Sequence, residues 1–366
     1  MKFSVMKENI LEELQLLQGI VEKRNTMPIL ANILIQTSED EVWIAGTDLE
    51  VGLKTHFGAD IAEQGAVTVS GKKIFEIVKS LPDGKPVTFK GDKDLMMEVT
   101  SGESEFKVMC LPKEDFPQVP EPKFEKKISI PVEHFKDMID RVFFAIAQEQ
   151  RYYLNGALMV IKNASIELVS TDGHRLSYTG RAQEDLAPGK DIRVIIAKKT
   201  LGELRKYDEG TIEFDMDENN LFFRSGNRTL ISRMIESKFP NFEAVIPRDN
   251  PNVATLPRDE FTNAIRRVSL LSAERSRGIK LTLEKNRMRL FSSNPEIGEA
   301  RDKVDIAYKG PNLEIGFNSQ YIVEFLTTVK TEKVRLELKD ENSAALLRPE
   351  TDEDIKSLYV LMPMKI

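Results

Sequence analysis

The sequence predicts an α+β fold made of three tandem copies of one helix-plus-antiparallel-sheet domain, and three observations point to it. A strand-turn-strand stretch recurs at residues 29–53, 153–178 and 277–300. A stretch that runs from strand into helix recurs at 67–81, 194–207 and 315–329. The first two copies close alike, on Phe116-Pro117 and Phe239-Pro240, and the period of about 123 residues suits a small domain rather than a solenoid unit.

Each copy is expected to open on a helix. Phe135, Met138, Ile139, Val142 and Phe143 fall at helical spacing, as do Phe261, Ala264, Ile265, Val268 and Leu271, with Leu11, Leu14 and Leu17 in the first copy. Strands follow, recognisable by alternation such as Val334-Arg335-Leu336-Glu337-Leu338. A second helix and three or four further strands complete the unit. Pro- and charge-rich linkers at 120–127 and 246–253 set expected domains of 1–122, 127–246 and 252–366.

The 366 residues are 41% hydrophobic and 30% charged, the balance of a globular chain, and the longest apolar run, from Val142 to Ala147, is far short of a membrane span. One cysteine, Cys110, rules out an internal disulfide, and the N-terminus lacks an export-signal layout, so a cytoplasmic location is expected. A net charge of −7 argues against a surface that coats nucleic acid all over, but leaves room for a local basic lining. The three histidines, His56, His134 and His174, are scattered and suggest no metal centre. Gly65 with Gly71-Lys72-Lys73 misses the phosphate-loop spacing and the Ser or Thr after the lysine. No cofactor, metal or catalytic residue is expected.

Three separated motifs then agree in order. Arg151-Tyr152-Tyr153-Leu154-Asn155-Gly156, Thr171-Asp172-Gly173-His174-Arg175-Leu176 and the terminal Met362-Pro363-Met364 resemble those of the bacterial DNA polymerase III beta subunit family, the replicative sliding clamps. Thr47-Asp48-Leu49-Glu50 and Phe116-Pro117 fit as well. The resemblance implies a non-enzymatic, head-to-tail homodimeric ring with helices inside and sheets outside. Such a ring encircles duplex DNA and tethers the replicative polymerase, and it needs an ATP-driven loader and other proteins that carry a short clamp-binding peptide.

Residue by residue, the resemblance implies DNA contacts in the loops holding Arg24 and Gln148, Arg151, Tyr152 and Tyr153, with Arg277 added by its position in the repeat. A mild basic lining is expected from Lys72, Lys73 and Lys79, from Lys198, Lys199, Arg205 and Lys206, and from Arg266 and Arg267. The partner groove would be lined by Leu154, Thr171, Gly173, His174, Arg175, Leu176, Pro240, Val245, Asn318, Tyr321, Val360, Met362, Pro363 and Met364. Val360 and Met362 share a strand parity that Leu361 opposes. Ala244 stands where other members can carry a basic residue. At the dimer interface Phe106 would face Leu270 and Leu271, with Glu103 and Glu105 opposite Arg301 and Lys303. Two other readings use the same scaffold. A DNA-processing nuclease would need clustered acids to hold Mg²⁺, and an interaction scaffold would hold no DNA.

Overall fold

The computed structural model describes the chain except for residues 22–26, 92–93, 125–126, 149–151, 185, 187–188 and 352–354. The first copy runs β1 (Lys2–Met6), α1 (Lys7–Leu17), β2 (Asn32–Ser38), β3 (Glu41–Thr47), β4 (Val51–Gly58), β5 (Asp60–Glu63), β6 (Gly65–Ser70), α2 (Gly71–Ser80), β7 (Pro86–Gly91), β8 (Met96–Ser101) and β9 (Ser104–Leu111). The second runs β10 (Ile128–Pro131), α3 (Val132–Phe143), β11 (Gly156–Lys162), β12 (Ser165–Thr171), β13 (Arg175–Ala182), β14 (Ile192–Ala197), α4 (Lys198–Leu204), β15 (Thr211–Met216), β16 (Asn220–Ser225) and β17 (Arg228–Arg233). The third runs β18 (Asn252–Pro257), α5 (Arg258–Ser269), β19 (Gly278–Glu284), β20 (Arg287–Asn294), β21 (Gly298–Asp305), β22 (Leu313–Asn318), α6 (Ser319–Thr328), β23 (Lys333–Leu338), β24 (Ala345–Pro349) and β25 (Ile355–Leu361).

The helices bury most of the residues their periodicity marked, while Leu11 and Phe143 are half-buried and Leu271, also half-buried, falls past the end of α5. Leu14 and Leu17 of α1, Phe135, Met138, Ile139 and Val142 of α3, and Phe261, Ala264, Ile265 and Val268 of α5 are all buried. Each large side chain among them contributes about 1.5–3 kcal/mol of hydrophobic stabilisation. The sequence reading missed the strand ahead of each opening helix. β1, β10 and β18 pair antiparallel with β7, β15 and β23. Each strand turns only two or three apolar side chains inward, as Phe3 and Val5 do, too few to register as alternation.

Contacts group the chain into two compact units, residues 1–133 with 202–234, and residues 134–201 with 235–366. The middle copy is thus shared. In the first unit β17 pairs with β4 of the first copy, which yields one 13-stranded sheet. In the second, β25 of the third copy pairs with β13 within an eight-stranded sheet, and the same unit holds a separate four-stranded sheet in strand order β21-β20-β19-β22. These junctions occupy strand edges that would otherwise present unpaired N–H and C=O groups.

Candidate functional site

The second unit builds a groove around the turn between β12 and β13. Thr171 Oγ1 donates to the Arg175 carbonyl at 2.6 Å and accepts from the Gly173 amide at 3.1 Å. Asp172 Oδ1 accepts from the amides of His174 and Arg175 at 2.9 and 3.1 Å. The side chains therefore take over backbone partners that a ladder would otherwise supply. Gly173 has φ of +91°, a conformation glycine adopts without steric cost. The His174 carbonyl accepts from the Met362 amide at 3.0 Å, which fastens the C-terminal segment to the turn.

Arg175 is buried and acts as the post of the site. Its Nε donates to Asp172 Oδ2 at 3.0 Å, its Nη2 to the Phe144 carbonyl at 2.6 Å and its Nη1 to Glu324, while the guanidinium lies 4.1 Å from the Tyr321 ring centre. Burial works against its charge, but the buried Tyr359 and the half-buried Glu324 outweigh that and push its pKa up. This is a bridging, stacked role, with three guanidinium nitrogens held by three separate residues, that lysine could not fill.

Leu176 and Val360 face one another across the β13–β25 ladder and form the apolar floor with Leu158, Ile235, Phe242, Leu346 and Leu358. Tyr359 and Leu361 point to the opposite face and join the core of the third copy, so the expected opposition of Val360 and Leu361 holds, whereas Met362 lies past the end of β25 and strand parity does not govern it. Leu154, Thr171, Leu176 and Val360 are buried, whereas Gly173, His174, Pro240, Val245 and Met362 are exposed and Pro363 and Met364 half-buried. Asn318 is half-buried and caps α6 by accepting from the Gln320 amide at 2.9 Å. Of the expected set, Gly173, His174, Arg175 and Tyr321 line one cavity of about 600 Å³, together with Phe144, Lys198 and Glu324, which the sequence reading did not place there. Lys198 was expected in the basic lining. Its half-buried ammonium lies over the Phe143 ring at 5.4 Å, and burial, then Arg175, push its pKa down.

The first unit repeats the turn. Thr47 Oγ1 donates to the Val51 carbonyl at 3.2 Å and accepts from the Leu49 amide at 3.0 Å, and Asp48 Oδ1 accepts from the Glu50 and Val51 amides at 2.9 and 2.6 Å. The Arg233 amide donates to the Glu50 carbonyl at 2.7 Å, as Met362 does to His174. The floor does not repeat: Gly52 opposite Ile231 replaces Leu176 opposite Val360, and Lys54 opposite Thr229 replaces Tyr178 opposite Leu358. The cavity left there is about 110 Å³.

The basic residues lie mostly on open surface in weak pairs. Lys72 and Lys73 are exposed and share Glu76 at 3.7 and 3.0 Å. Lys206 pairs with Glu203 at 2.7 Å and Arg267 with Asp302 at 2.7 Å. Lys79, Gln148, Arg205, Arg266 and Arg277 are exposed, and Lys199 and Tyr153 half-buried. Surface pairs of this kind are worth at most about 1 kcal/mol and can exchange a carboxylate for a phosphate. Arg24, Arg151 and the Tyr152 side chain lie outside the described residues. The acidic face of α1 has its own partner, since the buried Glu13 and the exposed Glu12 both hold Arg228 at 2.6 Å.

Of the residues expected at a dimer interface, Glu105 and Phe106 lie on the stretch of β9 ahead of its short pairing with β6, Arg301 and Lys303 lie on β21, and Leu270 and Leu271 follow the end of α5. β9 pairs with β6 only at Leu111 and Cys110, Glu105 is exposed and Phe106 half-buried. Glu103 departs from the expectation: it lies in the two-residue turn between β8 and β9, so strand parity does not govern it. β21 ends the four-stranded sheet with Arg301 and Lys303 exposed, Leu271 is half-buried, and Leu270 is 77% exposed. Among the described residues no cluster of His, Cys, Asp and Glu is arranged to hold a metal, and no helix is long and apolar enough to cross a membrane.

Comparison with known proteins covers the whole chain. Family models described as the N-terminal, central and C-terminal domains of the DNA polymerase III beta subunit match residues 1–120, 129–241 and 243–365. The beta sliding clamp of Pseudomonas aeruginosa is 36% identical over the full length of both chains, and that of Caulobacter vibrioides 34%. A crystal structure of the Pseudomonas aeruginosa clamp bound to griselimycin superposes with a TM-score of 0.95 at 34% identity and full coverage of both chains. The Bacillus subtilis clamp gives 0.95 at 26% identity, covering 100% of this chain and 99% of that one.

Proposed function

The chain belongs to the DNA polymerase III beta subunit family, the beta sliding clamps, and on that premise we propose how its residues do a clamp's work. It is a processivity factor rather than an enzyme. Two copies close head to tail into a ring with helices inside and sheets outside, and the ring holds duplex DNA by surrounding it. The full-length match across all three copies carries this reading.

Confinement sets the chemistry. Every neutralised phosphate adds affinity and salt dependence, so a ring that slides should touch the duplex lightly. The exposed cations of α2 and α5 and of the turn after α4, several already shared with carboxylates, suit that light touch. Arg24, Arg151, Tyr152 and Tyr153 are assigned here to the loops that meet the duplex. Polymerase, loader and other partners dock through a short peptide whose apolar side chains sit on the Leu176–Val360 floor between Val245, Pro240 and Met362. Tethering raises the polymerase's effective concentration at the primer end, which turns repeated rebinding into continuous synthesis. Opening is the work of a separate ATP-driven loader. Domain limits of 1–122, 127–246 and 252–366, a cytoplasmic location, and closure through Phe106 against Leu270 and Leu271 complete the proposal. Retention on closed circular DNA that is lost on cutting the circle tests it.

A further inference from the structure

The cavity beside the Thr171–Arg175 turn contains a cation for which the docking mode above has no use. Lys198, the first residue of α4, is half-buried, and among the described residues its Nζ bonds only the Ile146 carbonyl, at 3.5 Å. No carboxylate among them lies within ion-pair distance of it. The two carboxylates that line the same cavity are taken. Asp172 holds the Arg175 Nε and the turn amides, and Glu324 holds the Arg175 Nη1 and the Gln320 side chain, the latter at 2.6 Å. A partly desolvated ammonium without an anionic partner carries an unrecovered desolvation cost, which an incoming anion offsets.

We propose that this cavity receives the carboxylate of an acidic residue flanking the apolar core of a docking peptide, with Lys198 as its cation. The inference rests on reading the Leu176–Val360 floor as the docking site. Three features favour a peptide carboxylate over a nucleic-acid phosphate. Gly173, His174 and Arg175 line the cavity and run directly into Leu176, so a peptide seated on the floor is led into it. Arg175 and Lys198 against Asp172 and Glu324 sum to no net charge, which admits a monoanion better than a chain of phosphates. Phe143, Phe144, Ile146 and Ala147 wall the cavity and suit the methylenes of a glutamate stem. The repeated turn in the first unit offers no such lysine in its smaller cavity.

The test uses the full-length protein and synthetic fluorescent peptides. A docking core is scanned with Glu or Gln at each flanking position, and anisotropy reads the affinity. At one position the Glu peptide should bind about tenfold tighter than its Gln twin, the size of one partly desolvated charge-assisted hydrogen bond. Lys198→Met should collapse that preference to within about twofold while leaving the Gln peptide unchanged, and Lys198→Arg should keep it. A preference absent at every position, or one that survives Lys198→Met, overturns the proposal. So does a variant that binds both peptides as before but loses retention on circular DNA, since the lysine then serves the duplex. Failure of the Gln peptides to bind at all would instead overturn the groove reading on which the proposal rests.

Discussion

The main-chain amide of Met362 donates to the His174 carbonyl at 3.0 Å, and two residues on, the amide of Met364 donates to the Gly316 carbonyl at 2.9 Å. The segment after β25 is thereby fastened at both ends, with Met362 exposed and Pro363 and Met364 half-buried. Replacing Met362 and Met364 together by alanine keeps these backbone bonds. It should leave the unfolding free energy within about 1 kcal/mol of wild type and weaken docking-peptide binding about tenfold or more, as loss of adaptable apolar anchors does. Anisotropy and urea titration on one preparation check both.

Gly156 pairs with Ala197 in the β11–β14 ladder, and a Cβ placed on it would sit 2.3 Å from the Ile196 carbonyl oxygen. The obstacle is backbone, which cannot swing aside. Gly156→Ala should cost about 1–3 kcal/mol through forced strand displacement. Gly173→Ala should cost about 1 kcal/mol, because its strain is local and Leu49 already adopts a φ of +77° in the matching turn. Equal losses in urea unfolding would contradict this ranking.

Asp137 lies between Arg141 Nε at 2.9 Å and Lys330 Nζ at 2.6 Å. Burial pushes its carboxyl up, yet the two cations outweigh burial and hold it below the ordinary 3.8. The folded chain therefore binds this proton less readily than the unfolded one. The stabilisation is complete above the ordinary value and is lost as pH falls through the depressed one. Asp137→Asn should be less stable than wild type at neutral pH, with the gap closing below about pH 4. A gap that stays constant in thermal melts from pH 7 to pH 3 would contradict it.

Glu105 and Arg301 each sit on the exposed face of an edge strand, Glu105 with Lys107 at 3.2 Å and Arg301 with Glu299 at 2.9 Å. If they meet across the closed ring, Glu105→Lys should weaken dimerisation about fivefold in low salt, and adding Arg301→Glu should restore it. High salt should shrink both effects. Sedimentation of the single and double variants decides this, and a double variant no tighter than the single one rejects the pairing.

What was legible in the sequence follows from how local each feature is. The turn at Thr171–Arg175 is made by side chains bonding amides two and three residues away, so its motif is visible in the linear chain and recurs at Thr47–Val51. The helices declare themselves through their buried faces. The place of Lys198 was not legible. It depends on α4 bringing the residue to a cavity whose other walls come from the end of α3 and the segment after it, the Thr171–Arg175 turn and α6, and charge alone placed it with the exposed lysines. Glu103 was misread because alternation continues across a two-residue turn in the letters but not in the backbone. The division of the middle copy between two units comes from strand pairings between residues more than 170 positions apart, such as Arg228 with Thr55, which no local pattern encodes.

Topological capture is measured most directly by loading the protein with an ATP-driven loader onto nicked circular DNA, linearising half the sample with one restriction cut, and following protein that co-elutes with DNA on a sizing column in high salt. The ring account predicts stable retention on circles and release from linear molecules with free ends. Equal retention on both forms, or loss from both, would contradict it.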